Sequence, residues 1–256
     1  MLTGIRGLAR HMRTESLSLV ISEAILKQPE NGYLRYHAPR YNRLLEILRE
    51  LHLPSMTLLD VGRSPFAEIC KSALSSRLDL LGFEADATEP DGNYYQFDLN
   101  NCRDNTMWRA DIPSYDIIIF SEVIEHLPIS PTFVLAFLHS LLKPGGRLIL
   151  QTPNAVVLHK RLQLLLGYNP YSLIATDPLN PAHFREYTLS ELKHYSEQSN
   201  FSVQSSTIEN YFDYRYTNHA LGRCEKDARL AWVNRLYNWV PKKMKPGITM
   251  VLSKNP

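Results

Sequence analysis

Two carboxylates and an imidazole stand at i, i+3 and i+4 in the run YDIIIFSEVIEHL, as Glu122, Glu125 and His126. On a helical turn that spacing puts all three on one face. A second imidazole, His183, lies in the loop ahead of a Thr188-x-x-Glu191 capping box. Imidazoles gain and lose a proton near neutral pH, so His126 and His183 are candidates for taking one from a reacting hydroxyl. The plainer reading makes His126 a satisfied, half-buried histidine and Glu125 a partner of a helix start, where the dipole favours a carboxylate. Three further acids, Asp60, Glu84 and Asp98, close short apolar runs. An acid ending a second strand suits a ribose diol, and one ending a third suits an adenine amino group.

The elements that must position these groups alternate between strand and helix. Residues 56–61, 78–83, 94–99, 117–120 and 147–151 are apolar runs of strand length, the mark of strands buried on both faces. Ser64-Pro65 starts a helix to about Arg77, and Ser130-Pro131 starts another in which apolar pairs recur every four residues. Lys143-Pro144-Gly145-Gly146 stops that second helix. The interval 85–93 is too short and turn-rich for a full crossover helix. A helix is predicted over 156–166, closed by Gly167, and then a proline-containing loop over 168–181. The capping box opens another helix. Strands are predicted over 201–209 and 247–254, with a helical insert at about 221–240 bearing Trp232, Leu236 and Trp239. Residues 14–51 read as two helical pieces broken at Pro29–Gly32, packed on the sheet or forming a lid through Tyr33, Tyr36, His37, Arg40 and Tyr41. This is an open α/β pattern in one domain over 1–256. Its parts are an N-terminal helical segment (1–53), a core (54–209) and the insert with the last strand (210–256). In such sheets ligands bind outside the strand carboxyl ends, where Asp60, Gly62, Glu84, Asp98, Ser121 and Glu122 gather.

LLDVG, LLGFE, FDL, YDIIIFSEVIEHL, LLKPGGRLILQTPN and HFREYTLSELKHYSEQSNFSV follow one another in this chain. In that order they resemble the motifs of class I S-adenosylmethionine-dependent methyltransferases, over about 56–209. Within the class the chain looks closest to the ubiquinone-type O-methyltransferases. Through TPNAVVLHKRLQLLLGYNP it is also similar to methyltransferases encoded with glycan-assembly enzymes. The resemblance implies a Rossmann-like, seven-stranded, mostly parallel sheet with helices on both faces, and S-adenosylmethionine as cofactor. It implies that Asp60, Gly62 and Ser64 border the methionine part, that Glu84 holds the ribose, and that Asp98 and the Leu99 backbone hold the adenine. Ser121 and Glu122 would then line the wall near the sulfonium. Where the family carries a three-glycine loop, this chain has Gly62-Arg63-Ser64-Pro65-Phe66, and losing two glycines restricts backbone approach. That departure motivates an alternative, a catalytically inactive scaffold that keeps the fold as a binding module. The pattern argues against NAD, which needs the G-x-G-x-x-G turn. A second similarity, to the metal site of small-RNA 2′-O-methyltransferases, implies that Glu122, Glu125, His126 and His183 hold Mg, Mn, Fe or Zn. RNA 2′-O-methylation is accordingly a further alternative.

With 28 basic and 26 acidic residues the net charge is +2, which supplies no global drive toward nucleic acid; no DNA is expected, and RNA is disfavoured. Cys70, Cys102 and Cys224 are unclustered and read as reduced thiols. No apolar run approaches the roughly 20 residues of a membrane span, and the arginine-bearing N-terminus offers no signal-peptide core. A soluble, cytoplasmic protein is expected. Arg215, Arg223, Arg229, Arg235, Lys242, Lys243 and Lys245 make the C-terminal region basic: a helix with a solvated basic side, or a contact with an anionic membrane surface or lipid-linked substrate. Tyr171, Tyr211, Tyr214 and Tyr216 are candidates for stacking on a sugar. The expected reaction is O-methylation of a hydroxyl, on a sugar or glycan-linked acceptor first and a phenolic or quinone-type molecule second.

Overall fold

The computed structural model describes residues 19–51, 55–62, 64–74, 77–84, 92–176, 182–221 and 225–255. The start of the first predicted helix, Arg63, the 85–91 interval, residues 177–181, Arg223 and Cys224 lie outside the described residues. Two compact units share the chain, a helical one drawn from 1–54, 64–76 and 211–236 and a sheet-bearing one from the rest.

The helical unit holds a helix through 19–27 (α1), α2 (Gly32–Leu51) and α3 (Phe66–Leu74). The break before α2 falls where Pro29–Gly32 predicts it, and Asn31 Oδ1 caps the new helix by accepting from the Leu34 N–H at 2.9 Å. Ser64 Oγ does the same for α3, accepting from Phe66 N–H at 3.2 Å. The aromatic cluster seen in the sequence is a packing cluster. Tyr36 stacks on Phe212 at 4.9 Å and Tyr41 on Phe66 at 5.5 Å, while His37, Arg40 and Tyr41 are buried.

The sheet unit carries seven strands: β1 (Leu58–Val61), β2 (Leu78–Gly82), β3 (Tyr94–Gln96), β4 (Tyr115–Ser121), β5 (Leu142–Pro153), β6 (Phe201–Glu209) and β7 (Gly247–Lys254). Their order is β3-β2-β1-β4-β5-β7-β6, parallel from β3 to β5, with β7 antiparallel to both its neighbours. This is the expected Rossmann-like α/β sheet. In β4, Ile117 to Phe120 are at most 1% exposed, as a continuous apolar run requires. Helix α4 (Pro131–Ser140) begins with Ser130 accepting from the Thr132 N–H, and it buries Val134, Leu135, Phe137 and Leu138 in the core shared with Ile118 and Phe120. Each such side chain contributes roughly 1.5–3 kcal/mol. Phe137 also stacks on Phe97 at 4.8 Å, so α4 supports the segment that follows β3.

Strand boundaries shift by a few residues, most at β3 and β5. β3 stops at Gln96 because Asp98 caps a 3₁₀ turn (Leu99–Arg103), accepting from the Asn100 N–H at 2.9 Å. β5 starts earlier, at Leu142, pairing with Tyr115 before an irregularity that Gly145, at φ +74°, makes accessible. Helix α5 (Leu158–Leu165) ends in a Schellman turn: Gly167 sits at φ +81°, and Tyr168 N–H donates to the Gln163 carbonyl at 2.9 Å. Helix α6 (Leu189–Gln198) opens on the predicted capping box, with both of its hydrogen bonds formed. Among the described residues of the insert the α-helix is α7 (Ala231–Trp239), and Asp227 caps a 3₁₀ turn (Ala228–Leu230) ahead of it. No described helix is long and apolar enough to cross a membrane. Cys70 and Cys102 are buried free thiols, and burial pushes Cys102 up to about 12.

Candidate active site

The strand order turns between β1 and β4, and a cavity of about 320 Å³ opens at the carboxyl ends of the strands there. Val61, Gly62, Gly82, Asp98, Glu122 and His126 are among its lining residues. Gly62 has φ +93°, donates its N–H to the Leu81 carbonyl at 2.8 Å, and lies where a Cβ would come within 2.9 Å of Val123 Cγ2. Only glycine suits both the conformation and the space. Leu81, Phe97, Leu99 and Leu127 give the cavity apolar walls, Asp98 an exposed acidic rim, and Asn100 a buried Oδ1 with no donor among the described residues. An apolar slot flanked by a carboxylate and an amide oxygen fits a flat, amino-bearing heterocycle such as adenine. The glycine lets a ligand approach the β1 end closely.

Glu122, Glu125 and His126 do not share a face as their spacing predicts. Glu122 adopts φ +57°, with its N–H donating to the Gln151 carbonyl at 2.8 Å, and so turns the chain out of β4 beside the cavity. A left-handed non-glycine residue stores strain of order 1–3 kcal/mol, a pattern that gathers at functional sites. Ile124–His126 then forms a 3₁₀ turn that buries Glu125 completely, where Thr152 Oγ1 donates to its Oε2 at 2.9 Å. His126 Nδ1 lies 2.8 Å from the Ala182 carbonyl. That acceptor assigns the proton to Nδ1 and leaves the Nε2 lone pair available. Burial foremost, then the neighbouring His183, holds His126 below its usual range, against the Ala182 hydrogen bond.

The loop carrying His183 is pinned at both ends. Phe184 and Arg185 N–H groups donate to the Glu125 carbonyl at 2.8 and 3.3 Å, and Tyr187 bridges Asn154 past the end of β5. The His183 and His126 rings meet edge to face at 4.8 Å. His183 Nδ1 donates to Glu186 Oε1 at 2.9 Å, and the other Glu186 oxygen pairs with Lys160. Burial would raise the Glu186 carboxyl, but the His183 hydrogen bond and the Lys160 charge outweigh it and hold it low. Lys160 Nζ also lies 5.1 Å from the centre of the Tyr171 ring. These groups border a second cavity of about 410 Å³, lined by Ala155, Tyr171, His183, Arg185, Glu186 and Glu191 among others. His126 thus faces the first cavity and His183 the second, with their rings in contact.

Of the residues that sequence assigns to the cofactor, Gly62, Asp98, Leu99 and Glu122 line the first cavity. Asp60, Ser64, Glu84 and Ser121 are not in its described wall. Asp60 is buried within β1, in register between Leu80 and Ile119. Ser64 caps α3, the Ser121 hydroxyl donates to Gln151 Oε1 at 3.0 Å, and Glu84 is half-buried just past Phe83. Sequence reasoning missed Asn100, Lys160 and Glu186. Only Glu186 left a signal, the His-x-x-Glu spacing from His183.

The expected four-ligand metal site is not assembled as such. Among the described residues Glu125, His126 and His183 offer ligand atoms within 4.8 Å of one another, and Glu122 is not in the group. Bonds near 2.05 Å require tetrahedral donors only about 3.3 Å apart. The set is therefore more open than a closed coordination sphere, and Glu125 already accepts from Thr152.

The family model described as a methyltransferase domain matches residues 33–206. Among curated proteins none matches the chain. Among solved structures the chain is similar to a SAM-dependent methyltransferase from Archaeoglobus fulgidus, at 17% identity and TM-score 0.52, covering 84% of this chain and 94% of that one. It is also similar to a chain of the complex between the Haloferax volcanii Trm112 methyltransferase activator and its methyltransferase, at 12% identity and TM-score 0.58, covering 93% and 98%. The [4+2]-cyclase SpnF has the same fold, at 12% identity and TM-score 0.50, covering 83% and 81%. Likeness at these identities carries the fold alone, and SpnF illustrates that the fold by itself leaves the reaction open. The family model spans well over half of the sequence and coincides with the cavity-bearing sheet, and on that ground the chain belongs to the class I S-adenosylmethionine-dependent methyltransferases.

Proposed function

We propose that this methyltransferase transfers the methyl group to a hydroxyl oxygen of a sugar, glycan-linked or other small hydroxylated acceptor held in the second cavity. The observation that carries this reading is the His183–Glu186 pair facing that cavity, in ring contact with His126 at the first. S-adenosylmethionine supplies an activated methyl group on a sulfonium. A hydroxyl is barely ionised at neutral pH, so the protein must take its proton as the oxygen attacks. His183 accepts that proton at Nε2, because its Nδ1–H is committed to Glu186. Glu186, kept ionised by Lys160, steadies the imidazolium that forms. His126, half-buried and neutral, lines the first cavity beside His183 and shields the reacting oxygen from water. Polar and charged groups of the second cavity (Ser172, Thr188, Arg185 and Glu191) suit an acceptor with several hydroxyls, and the Tyr171 ring suits a sugar face. The buried thiols suit an enzyme of a reducing compartment such as the cytosol.

The test is transfer from methyl-labelled S-adenosylmethionine to a panel of monosaccharides, glycosides and catechol-type phenols, with product analysis at the methylated atom. An O-methyl product whose formation falls about 10²–10⁴-fold in His183→Ala, with cofactor affinity unchanged, is expected. Methylation only at nitrogen or carbon, or full activity in His183→Ala, would sink the proposal. Cofactor binding without turnover of any acceptor would favour the inactive-module reading.

A further inference from the structure

The segment between β5 and the His183 loop carries an apolar surface that neither cavity explains. Leu162, Leu164, Leu165, Leu166, Leu173 and Ile174 are 50%, 51%, 82%, 71%, 88% and 65% exposed. Bulky apolar side chains on a soluble surface are ordinarily scattered singly, and such a concentration marks an interaction site. The excursion has defined geometry. The Schellman turn at Gly167 reverses the chain after α5, and the Tyr171 hydroxyl donates to the Ala155 carbonyl at 3.0 Å, returning it to the start of the helix.

The surroundings identify the occupant. His159 Nδ1 lies 2.6 Å from the Tyr237 hydroxyl, and Asn154 Nδ2 donates to the Lys243 and Lys245 carbonyls at 3.2 and 2.8 Å. These contacts set the apolar excursion beside the segment 237–245, where Trp239 is 88% exposed and Lys242 and Lys243 are exposed. Neither 155–176 nor 237–255 contains an aspartate or glutamate, whereas they expose Arg161, Lys242 and Lys243; Lys160 is buried against Glu186 and is not part of this surface. Exposed leucines, a tryptophan and lysines without any carboxylate are the composition of an interfacial membrane anchor: apolar groups enter the acyl boundary, tryptophan sits at headgroup level, and lysines meet lipid phosphates. A second copy of this chain would bring the same positive charge, and a folded partner gives no reason for bulky apolar side chains standing out beside lysines, which an anionic bilayer accommodates at two depths.

We propose that the 161–174 excursion, together with Trp239, Lys242 and Lys243, docks this protein on an anionic phospholipid bilayer. Tyr171 and Ser172 of the same excursion line the second cavity, so docking places that cavity at the lipid surface. The proposal does not depend on which atom is methylated.

Co-sedimentation of the full chain with phosphatidylcholine vesicles, with and without phosphatidylglycerol, tests it. The wild type should pellet with the anionic vesicles and be released by salt. Leu165→Ser/Leu173→Ser should weaken binding at least tenfold, and Lys242→Ser/Lys243→Ser should weaken it to anionic vesicles only. All four side chains are exposed, so unchanged thermal unfolding is expected in both variants and makes the loss attributable to the surface. A wild type that remains in solution with both vesicle types overturns the proposal. So does binding indifferent to the leucines, or a concentration-dependent dimer, dispersed by Leu165→Ser/Leu173→Ser, in a protein that ignores vesicles.

Discussion

The two cavities of the sheet unit are built on different terms. The first is set by strand ends: Gly62 follows β1, Gly82 ends β2 and Glu122 follows β4, so its position comes with the fold. The second is assembled from segments far apart in sequence. Its carboxylate, Glu186, is held by Lys160, and its loop hangs from the Glu125 carbonyl. The first is mostly apolar with a polar rim, as a cofactor pocket is, while the second is crossed by charges and hydrogen bonds. The two adjoin at the edge-to-face rings of His126 and His183. The fold thus sets the first cavity, while the second depends on the loop after β5.

The largest effect should separate the two cavities. His183→Ala is expected to lower turnover about 10²–10⁴-fold without changing cofactor affinity. Glu186→Gln, which keeps a hydrogen-bonding group but removes the charge, should lower kcat by on the order of 10²-fold through misorientation of His183. Equal losses in cofactor affinity would erase the distinction. Next, Phe137→Ala removes the ring stacked beneath Phe97 at the wall of the first cavity. It should cost about 3–5 kcal/mol in chemical denaturation, and a loss below 1 kcal/mol would show that the wall does not rest on α4.

Gly62→Val should then act on the first cavity alone. The φ of +93° and the 2.9 Å approach to Val123 Cγ2 predict strain of order 1–3 kcal/mol, and a valine side chain would intrude beside the cavity, so weaker cofactor binding is expected. Wild-type affinity in that variant would mean the β1 end is not approached by ligand.

The smallest effect sits at the boundary. His126 is held below its ordinary value, so the folded protein stays neutral there while the unfolded chain takes up a proton. Its contribution is complete above the unfolded value of about 6.5 and is lost as pH falls through the lower folded value. Glu186, also lowered, contributes above the ordinary carboxylate range and loses that contribution as pH falls further. Unfolding free energy should therefore decline on the acid side of neutrality first and again in the carboxylate range. His126→Asn should make the first decline shallower without abolishing it, because His139 and His159 are lowered as well. An unchanged slope would show that the surroundings of His126 do not hold it neutral.

The difference between the cavities also governs what could be read from sequence. Strand ends announce themselves through apolar runs followed by glycine or an acid, which is why Gly62, Asp98 and Glu122 were found. Caps at Ser130 and Thr188 rest on neighbours two and three residues away and are equally visible. Asp60, one residue before the end of β1, is buried and outside the described wall of the first cavity. The common face expected for Glu122, Glu125 and His126 assumed a continuous helical turn, and the left-handed Glu122 broke it. Lys160 lies 26 residues from Glu186 and carried no local signal.

A crystal structure with S-adenosylhomocysteine would test the division of labour most directly. The account predicts the adenine between the Asp98–Asn100 turn and the apolar wall of the first cavity, the thioether between Gly62 and Glu122, and the second cavity left free for an acceptor. A nucleoside lodged instead against His183, Glu186 and Tyr171, or a protein that takes up no ligand at saturating concentration, would contradict it.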